Sequence, residues 1–90
     1  MRAARHFIVR GRVQRVGFRY FVHESATREG LHGDVRNLPD GSVEVTAEGE
    51  AESMERFERK LREGPRGSRV DEVIVTEREP EGRDTGFNIR

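Results

Sequence analysis

The chain begins with an alternation of apolar and polar positions and then changes to a helical spacing. Across residues 7–13 every second residue is apolar or glycine, which is typical of a β-strand. Across residues 18–29 the apolar positions recur every three or four residues. The predicted buried face of this helix consists of Phe18, Phe21, Val22, Ser25 and Ala26. We therefore predict a strand followed closely by a helix, with Gly30 as the C-terminal cap.

The rest of the chain continues with strand and helix patterns in turn. The predicted elements are a hairpin of residues 33–37 and 43–47, a helix around 54–61, a strand over 70–76 and a short strand at 86–89. Glu52/Arg56, Glu55/Arg59 and Glu58/Arg62 form i,i+4 pairs on the second helix. The order βαββαβ predicts a ferredoxin-like α+β two-layer sandwich, an antiparallel sheet with two helices on one face. We expect residues 1–90 to form one domain.

Composition narrows the possible functions. Hydrophobic residues make up 32% of the chain and charged residues 38%, and the formal net charge is zero, so no basic field favours nucleic acid or anionic membrane. There is no cysteine, and no segment approaches the ~20 apolar residues of a membrane span. We expect a cytoplasmic protein. Among the basic residues only Lys60 is lysine, so a single arginine carries little information without its context.

The segment Gly11-Arg12-Val13-Gln14-Arg15-Val16-Gly17-Phe18-Arg19 joins the first strand to the first helix. Backbone N–H groups in the first turn of a helix have no intrahelical partner, and together with the helix dipole they favour an anion of phosphate size. Arg19 would add a planar, permanently charged group to that site. The segment therefore predicts a local phosphate-binding loop.

This loop and the residues after it resemble the acylphosphatase family over nearly the whole chain. The matching residues are Gly11-Arg12-Val13-Gln14, Val16-Gly17-Phe18-Arg19, Gly30-Leu31, Gly33, Val35, Asn37 and Asp40-Gly41. The resemblance implies hydrolysis of the carboxyl–phosphate bond of acyl phosphates to a carboxylate and inorganic phosphate, without metal or cofactor. It implies a small-molecule substrate, and neither nucleic acid nor membrane as a partner. We expect a monomer.

The resemblance also implies roles for individual residues. Arg19 matches the arginine that binds the phosphoryl group, and Asn37 matches the asparagine that orients the attacking water. The phosphate-binding loop corresponds to Gln14, Arg15, Val16, Gly17 and Phe18. Simpler interpretations stay open: Arg19 as a solvated helix-start arginine, and Asn37 as a side chain that only satisfies the backbone of the following turn.

Arg15 departs from the family pattern, which has glycine at this position. If the loop requires a positive φ there, a residue other than glycine costs roughly 1 kcal/mol, while a cation could strengthen phosphate binding or slow phosphate release. We predict a working loop with altered phosphate affinity.

Two other functions fit the same order of elements. RNA-recognition domains stack bases on aromatic side chains of the sheet, but the exposed side of the first strand offers Ile8, Arg10 and Arg12 instead. The second alternative is a regulatory or carbamoyl-phosphate-handling domain of the same family, which in larger maturation proteins is fused to further domains. The three histidines match no metal-ligand spacing, and we expect them to be structural or exposed.

Overall fold

The computed structural model describes all 90 residues. Its elements are β1 (Arg2–Arg12), α1 (Phe18–Arg28), β2 (His32–Asn37), β3 (Val43–Glu50), α2 (Ala51–Glu63), β4 (Arg69–Arg78) and β5 (Phe87–Ile89). The predicted ferredoxin-like α+β sandwich is confirmed. β1 begins earlier than predicted because its first residues pair with the end of β3, starting at Arg2 opposite Glu50. Neither helix has the length and apolar character needed to cross a membrane.

The sheet has five strands in the order β4-β1-β3-β2-β5. Its first four strands are antiparallel to their neighbours, as predicted, but β5 is parallel to β2. The prediction of a wholly antiparallel sheet is therefore wrong at one edge. β4 and β5 lie at opposite edges, so the chain crosses the width of the sheet between them. β5 then runs opposite to β4 and in the same direction as β2, its neighbour in the sheet.

One hydrophobic core lies between the sheet and the two helices. The sheet contributes Phe7 and Val9 from β1, which are fully buried, and α2 contributes a fully buried Phe57. The ring of Phe57 lies 5.9 Å from Phe7 and 6.2 Å from Phe87 between centroids, so the edge strand β5 is joined to the same core. α1 buries Phe18, Val22 and Ala26, whereas the predicted Phe21 and Ser25 are only partly buried.

The segment between β4 and β5 crosses the opposite face of the sheet and is held there by Glu48. The Glu48 carboxylate is 2% exposed and accepts backbone hydrogen bonds from Glu81 at 2.8 Å, Gly82 at 2.6 Å and Arg83 at 3.1 Å. Arg2 adds an ion pair at 3.0 Å. These bonds lower the pKa of Glu48 to about 2, and the hydrogen bond from the Glu81 amide has the largest effect.

The sheet face opposite the helices carries no phenylalanine or tyrosine side chain. It is polar around Glu44, whose carboxylate pairs with Arg36 at 2.5 Å and contacts the His6 ring at 2.9 Å. The phenylalanines belong to the core or pack against it, and Tyr20 lies on α1. The face therefore lacks the stacking platform that an RNA-recognition domain requires.

Candidate active site

The loop between β1 and α1 is built on two left-handed backbone conformations. Arg15 has φ 64°, and it is the one residue other than glycine with a positive φ. Gly17 has φ 75° and immediately precedes α1. Val16, between them, does not have a positive φ, so the sign of φ alternates along the loop. This alternation turns successive N–H groups toward the inside of the curve, which is how backbone nests bind anions. A positive φ at position 15, which we considered as a possible requirement of the loop, is thus present with arginine in place.

The start of α1 leaves its amides unoccupied by the protein. Gly17 caps the helix without a side-chain hydrogen bond, and no acidic residue lies in the first turn. The first helical bond runs from the amide of Phe21 to the carbonyl of Gly17, at 3.0 Å. The amides of residues 18–20 therefore have no intrahelical acceptor, and their dipoles favour a bound anion.

Arg19 is fixed at this helix start by a long-range contact. Its Nη1 donates a hydrogen bond of 2.9 Å to the main-chain oxygen of Arg90. A guanidinium carries five N–H donors in a planar arrangement, so most of them stay free for another ligand. The side chain is half-buried. This geometry differs from that of a freely solvated surface arginine.

A cavity of about 210 Å³ brings most of the predicted site together. It is lined by Val13, Arg15, Gly17, Phe18, Arg19, Tyr20 and Asn37. Val13 and Tyr20 were not predicted as site residues. Tyr20 had a signal in the sequence, because it follows Arg19 and lies off the buried helix face, so it had to point outward beside the loop.

Two predicted loop residues do not line the cavity. The amide Nε2 of Gln14 instead donates hydrogen bonds to the carbonyls of Leu38 at 2.8 Å and Ser42 at 2.9 Å. Val16 is half-buried and packs against the hydrophobic core. The Gln14 side chain therefore holds the loop against the turn after β2, and Val16 anchors the middle of the loop.

Asn37 ends β2 at the edge of the cavity. Its Oδ1 is buried and has no hydrogen-bond partner in the protein, which is unusual because nearly all buried polar atoms are paired. The turn after Asn37 is stabilised by other side chains. Gln14 donates a hydrogen bond to it, and the Asp40 carboxylate accepts one from the amide of Ser42 at 2.9 Å. Asn37 thus lines the cavity with an acceptor oxygen that no donor of the protein occupies.

No carboxylate lines the cavity. Asp40, in the turn that follows Asn37, accepts hydrogen bonds from the hydroxyl and amide of Ser42, which lower its pKa. The histidines lie elsewhere: the His6 ring contacts Glu44, and His32 Nδ1 accepts the amide of Gly86 at 2.9 Å. No group of three or more potential metal ligands is present. The polar groups at the site are guanidinium, backbone amide, carboxamide and the phenol of Tyr20.

The chain is similar to proteins of one family along almost its whole length. A family model described as Acylphosphatase matches residues 5–89. The acylphosphatase of Thermus thermophilus is 48% identical over 82 residues, which cover 91% of this chain and 92% of that protein. The crystal structure of acylphosphatase from Bacillus subtilis has a TM-score of 0.93 and 42% identity, covering 100% of this chain and 99% of that chain.

The comparison with a larger protein bears on the alternative of a fused domain. The crystal structure of T. kodakarensis HypF has a TM-score of 0.84 and 38% identity, and the match covers 98% of this chain but 12% of that chain. The likeness therefore concerns one segment of HypF, whereas the Bacillus and Thermus proteins match along nearly their full length. The chain belongs to the acylphosphatase family and is an acylphosphatase enzyme, a hydrolase.

Proposed function

We propose that Arg19 and the loop of residues 14–18 bind the phosphoryl group of an acyl phosphate and that Asn37 orients the water that attacks it. The observation that carries this assignment is one cavity lined by Arg19, by the start of α1 and by Asn37. The reaction follows from membership of the family. Its products are a carboxylate and inorganic phosphate.

Arg19 and the unpaired amides stabilise negative charge on the phosphoryl oxygens. Phosphoryl transfer requires mainly positioning and charge stabilisation, and an acyl phosphate already carries a good leaving group. The guanidinium is held by Arg90, so it needs little reorganisation when the substrate binds. A single preorganised donor of this kind is typically worth about 10²–10³ in rate.

Asn37 Oδ1 accepts a hydrogen bond from the attacking water. The water oxygen forms a bond to phosphorus, and the bond from phosphorus to the acyl oxygen breaks, so the electron pair leaves with the carboxylate. A carboxamide does not accept the proton at neutral pH, and the proton passes to a phosphate oxygen of the substrate. The unpartnered, buried Oδ1 supports this role.

Arg15 adds a second guanidinium to the phosphate site. Its side chain is exposed, lines the cavity, and takes part in none of the salt bridges of the protein. Its charge is therefore not neutralised by a neighbouring carboxylate. Gln14 and Val16 act through position: Gln14 connects the loop to the turn after Asn37, and Val16 fixes it to the core.

Three further properties belong to this proposal. Residues 1–90 act as a single domain, which the one hydrophobic core supports. The protein is a monomer, because its exposed large apolar side chains come from different parts of the chain: Met1 before β1, Tyr20 on α1 and Ile74 on β4. It works in the cytoplasm, where a chain without cysteine is suited to a reducing environment. Light scattering and cell fractionation test the last two.

Titration with inorganic phosphate tests the assignment of the binding loop. In a ¹⁵N-labelled sample, we expect the amide resonances of residues 15–20 to shift on addition of phosphate, because these N–H groups would contact the anion. Amides of α2 and β4 serve as the internal control. Shifts spread evenly over the chain, or absent from the loop, would contradict the assignment.

A further inference from the structure

Tyr20 lies at the rim of the phosphate cavity and is largely free of contact. It follows Arg19 in the first turn of α1, lines the cavity, and is 69% exposed. The phenylalanine side chains of the protein belong to the hydrophobic core or pack against it. A flat aromatic ring is therefore available beside the place where the phosphoryl group binds.

A second, shallow groove adjoins the cavity and shares Tyr20 with it. It is largely open to solvent and has a volume of about 500 Å³. Its lining residues are Tyr20, His23, Glu24, Thr27 and Arg28. These residues recur at three- and four-residue spacing, so they form one face of α1. Among them, the ring of His23 packs against the buried Phe87, with 6.4 Å between the ring centroids.

We propose that Tyr20 contacts the acyl group of the substrate and that the groove along α1 accommodates acyl groups too large for the phosphate cavity. The inference rests on the proposed binding of the phosphoryl group at residues 14–19. With that group bound by the loop amides, the acyl part leaves the smaller cavity, and Tyr20 lines both spaces. The substrate class is acyl phosphates with an aromatic or extended acyl group.

Two substrates of different size test the role of Tyr20. We compare kcat/KM for benzoyl phosphate with kcat/KM for acetyl phosphate, whose methyl group is too small to stack on a ring. In Tyr20→Ala we expect the benzoyl-to-acetyl ratio to fall between about two- and tenfold, mainly through KM, because one aromatic contact is lost. Tyr20→Phe keeps the ring and should restore the ratio of the parent.

Ile74→Ala is the matched control, because it shortens another exposed apolar side chain, on β4. It should leave the ratio unchanged. An unchanged ratio in Tyr20→Ala, or a ratio that Tyr20→Phe does not restore, would overturn the inference. A parent protein that hydrolyses neither substrate would instead contradict the proposed catalytic site, so the two failures are distinguishable.

Discussion

Arg19 donates a hydrogen bond of 2.9 Å to the main-chain oxygen of Arg90, which connects the start of α1 to the residue that follows β5. The amide of Arg90 in turn donates to the carbonyl of Val35 on β2, at 2.8 Å. Asn37 lies two residues further along the same strand. The guanidinium and the carboxamide of the proposed site are therefore positioned by one strand, although they are distant in sequence.

Replacing Arg19 with lysine tests whether charge alone is sufficient. Lysine keeps the positive charge but loses the planar pair of donors that can bind two phosphoryl oxygens. We expect Arg19→Lys to lose at least about 10²-fold in kcat/KM for benzoyl phosphate. Thermal unfolding followed by circular dichroism checks that the variant is folded. Activity within a few-fold of the parent would contradict a two-oxygen contact.

Asn37→Ala separates a catalytic role from a structural one. Oδ1 has no partner in the protein, so its removal breaks no internal hydrogen bond, and an unpaired buried polar atom typically costs about 1–3 kcal/mol. We expect the melting temperature to stay the same or rise while kcat falls strongly. A lower melting temperature with near-normal kcat would instead indicate that Asn37 supports the turn.

Substitution at Arg15 should affect stability and phosphate affinity in opposite directions. Arg15→Gly relieves the positive φ of 64° and should raise the free energy of unfolding by up to about 1 kcal/mol. It also removes an exposed cation, so the inhibition constant of inorganic phosphate should increase about two- to fivefold. Denaturant unfolding and competition kinetics measure the two effects.

Arg15→Asn is the companion variant for that experiment. Asparagine tolerates the left-handed conformation better than most residues but carries no charge. It should therefore weaken phosphate inhibition as much as glycine does. If phosphate inhibits both variants as strongly as the parent, the side chain of Arg15 has no part in binding phosphate.

Glu48 should make the stability of the fold depend on acidic pH. Its pKa is lowered from 4.5 to about 2 in the folded protein, first by the amide of Glu81. The unfolded chain therefore binds more protons in this range, and the stabilisation, complete above pH 4.5, is lost as the pH falls toward 2. Urea unfolding at pH 7, 4 and 2.5 measures this loss.

Glu48→Gln provides the reference. The glutamine amide brings N–H donors toward backbone N–H groups that need an acceptor, so at pH 7 the variant should be about 1–3 kcal/mol less stable. It should also lose less stability than the parent on acidification. Parallel pH profiles for the two proteins would show that other carboxylates, and not Glu48, account for the acid sensitivity.

The fold was predictable where the pattern of apolar residues is strong. The alternation that begins at Phe7 and the helical spacing after Phe18 each correspond to an observed element. The parallel pairing of β5 was not predictable. A segment of three residues can indicate a strand, but it does not indicate which other strand it pairs with. Of the pairs predicted on α2, Glu58 bonds Arg62, whereas Arg56 bonds Glu29 of another segment.

The residues of the proposed site could be identified from the sequence, whereas the contacts that position them could not. The sequence indicates Arg19 through its place at the helix start, and it indicates Asn37 through the resemblance to the acylphosphatase family. It does not indicate the contact of Arg19 with Arg90 or the hydrogen bonds of Gln14 to the turn. These contacts span 71 and 24 residues, and only the folded topology brings the partners together.

Hydrolysis of benzoyl phosphate by the parent protein and by Arg19→Ala, with a chelator present, tests the proposed site most directly. We expect rapid turnover by the parent and a loss of at least about 10²-fold in the variant, with both proteins folded by circular dichroism. A folded parent without turnover, or an Arg19→Ala variant that keeps the activity of the parent, would contradict the assignment of the catalytic site.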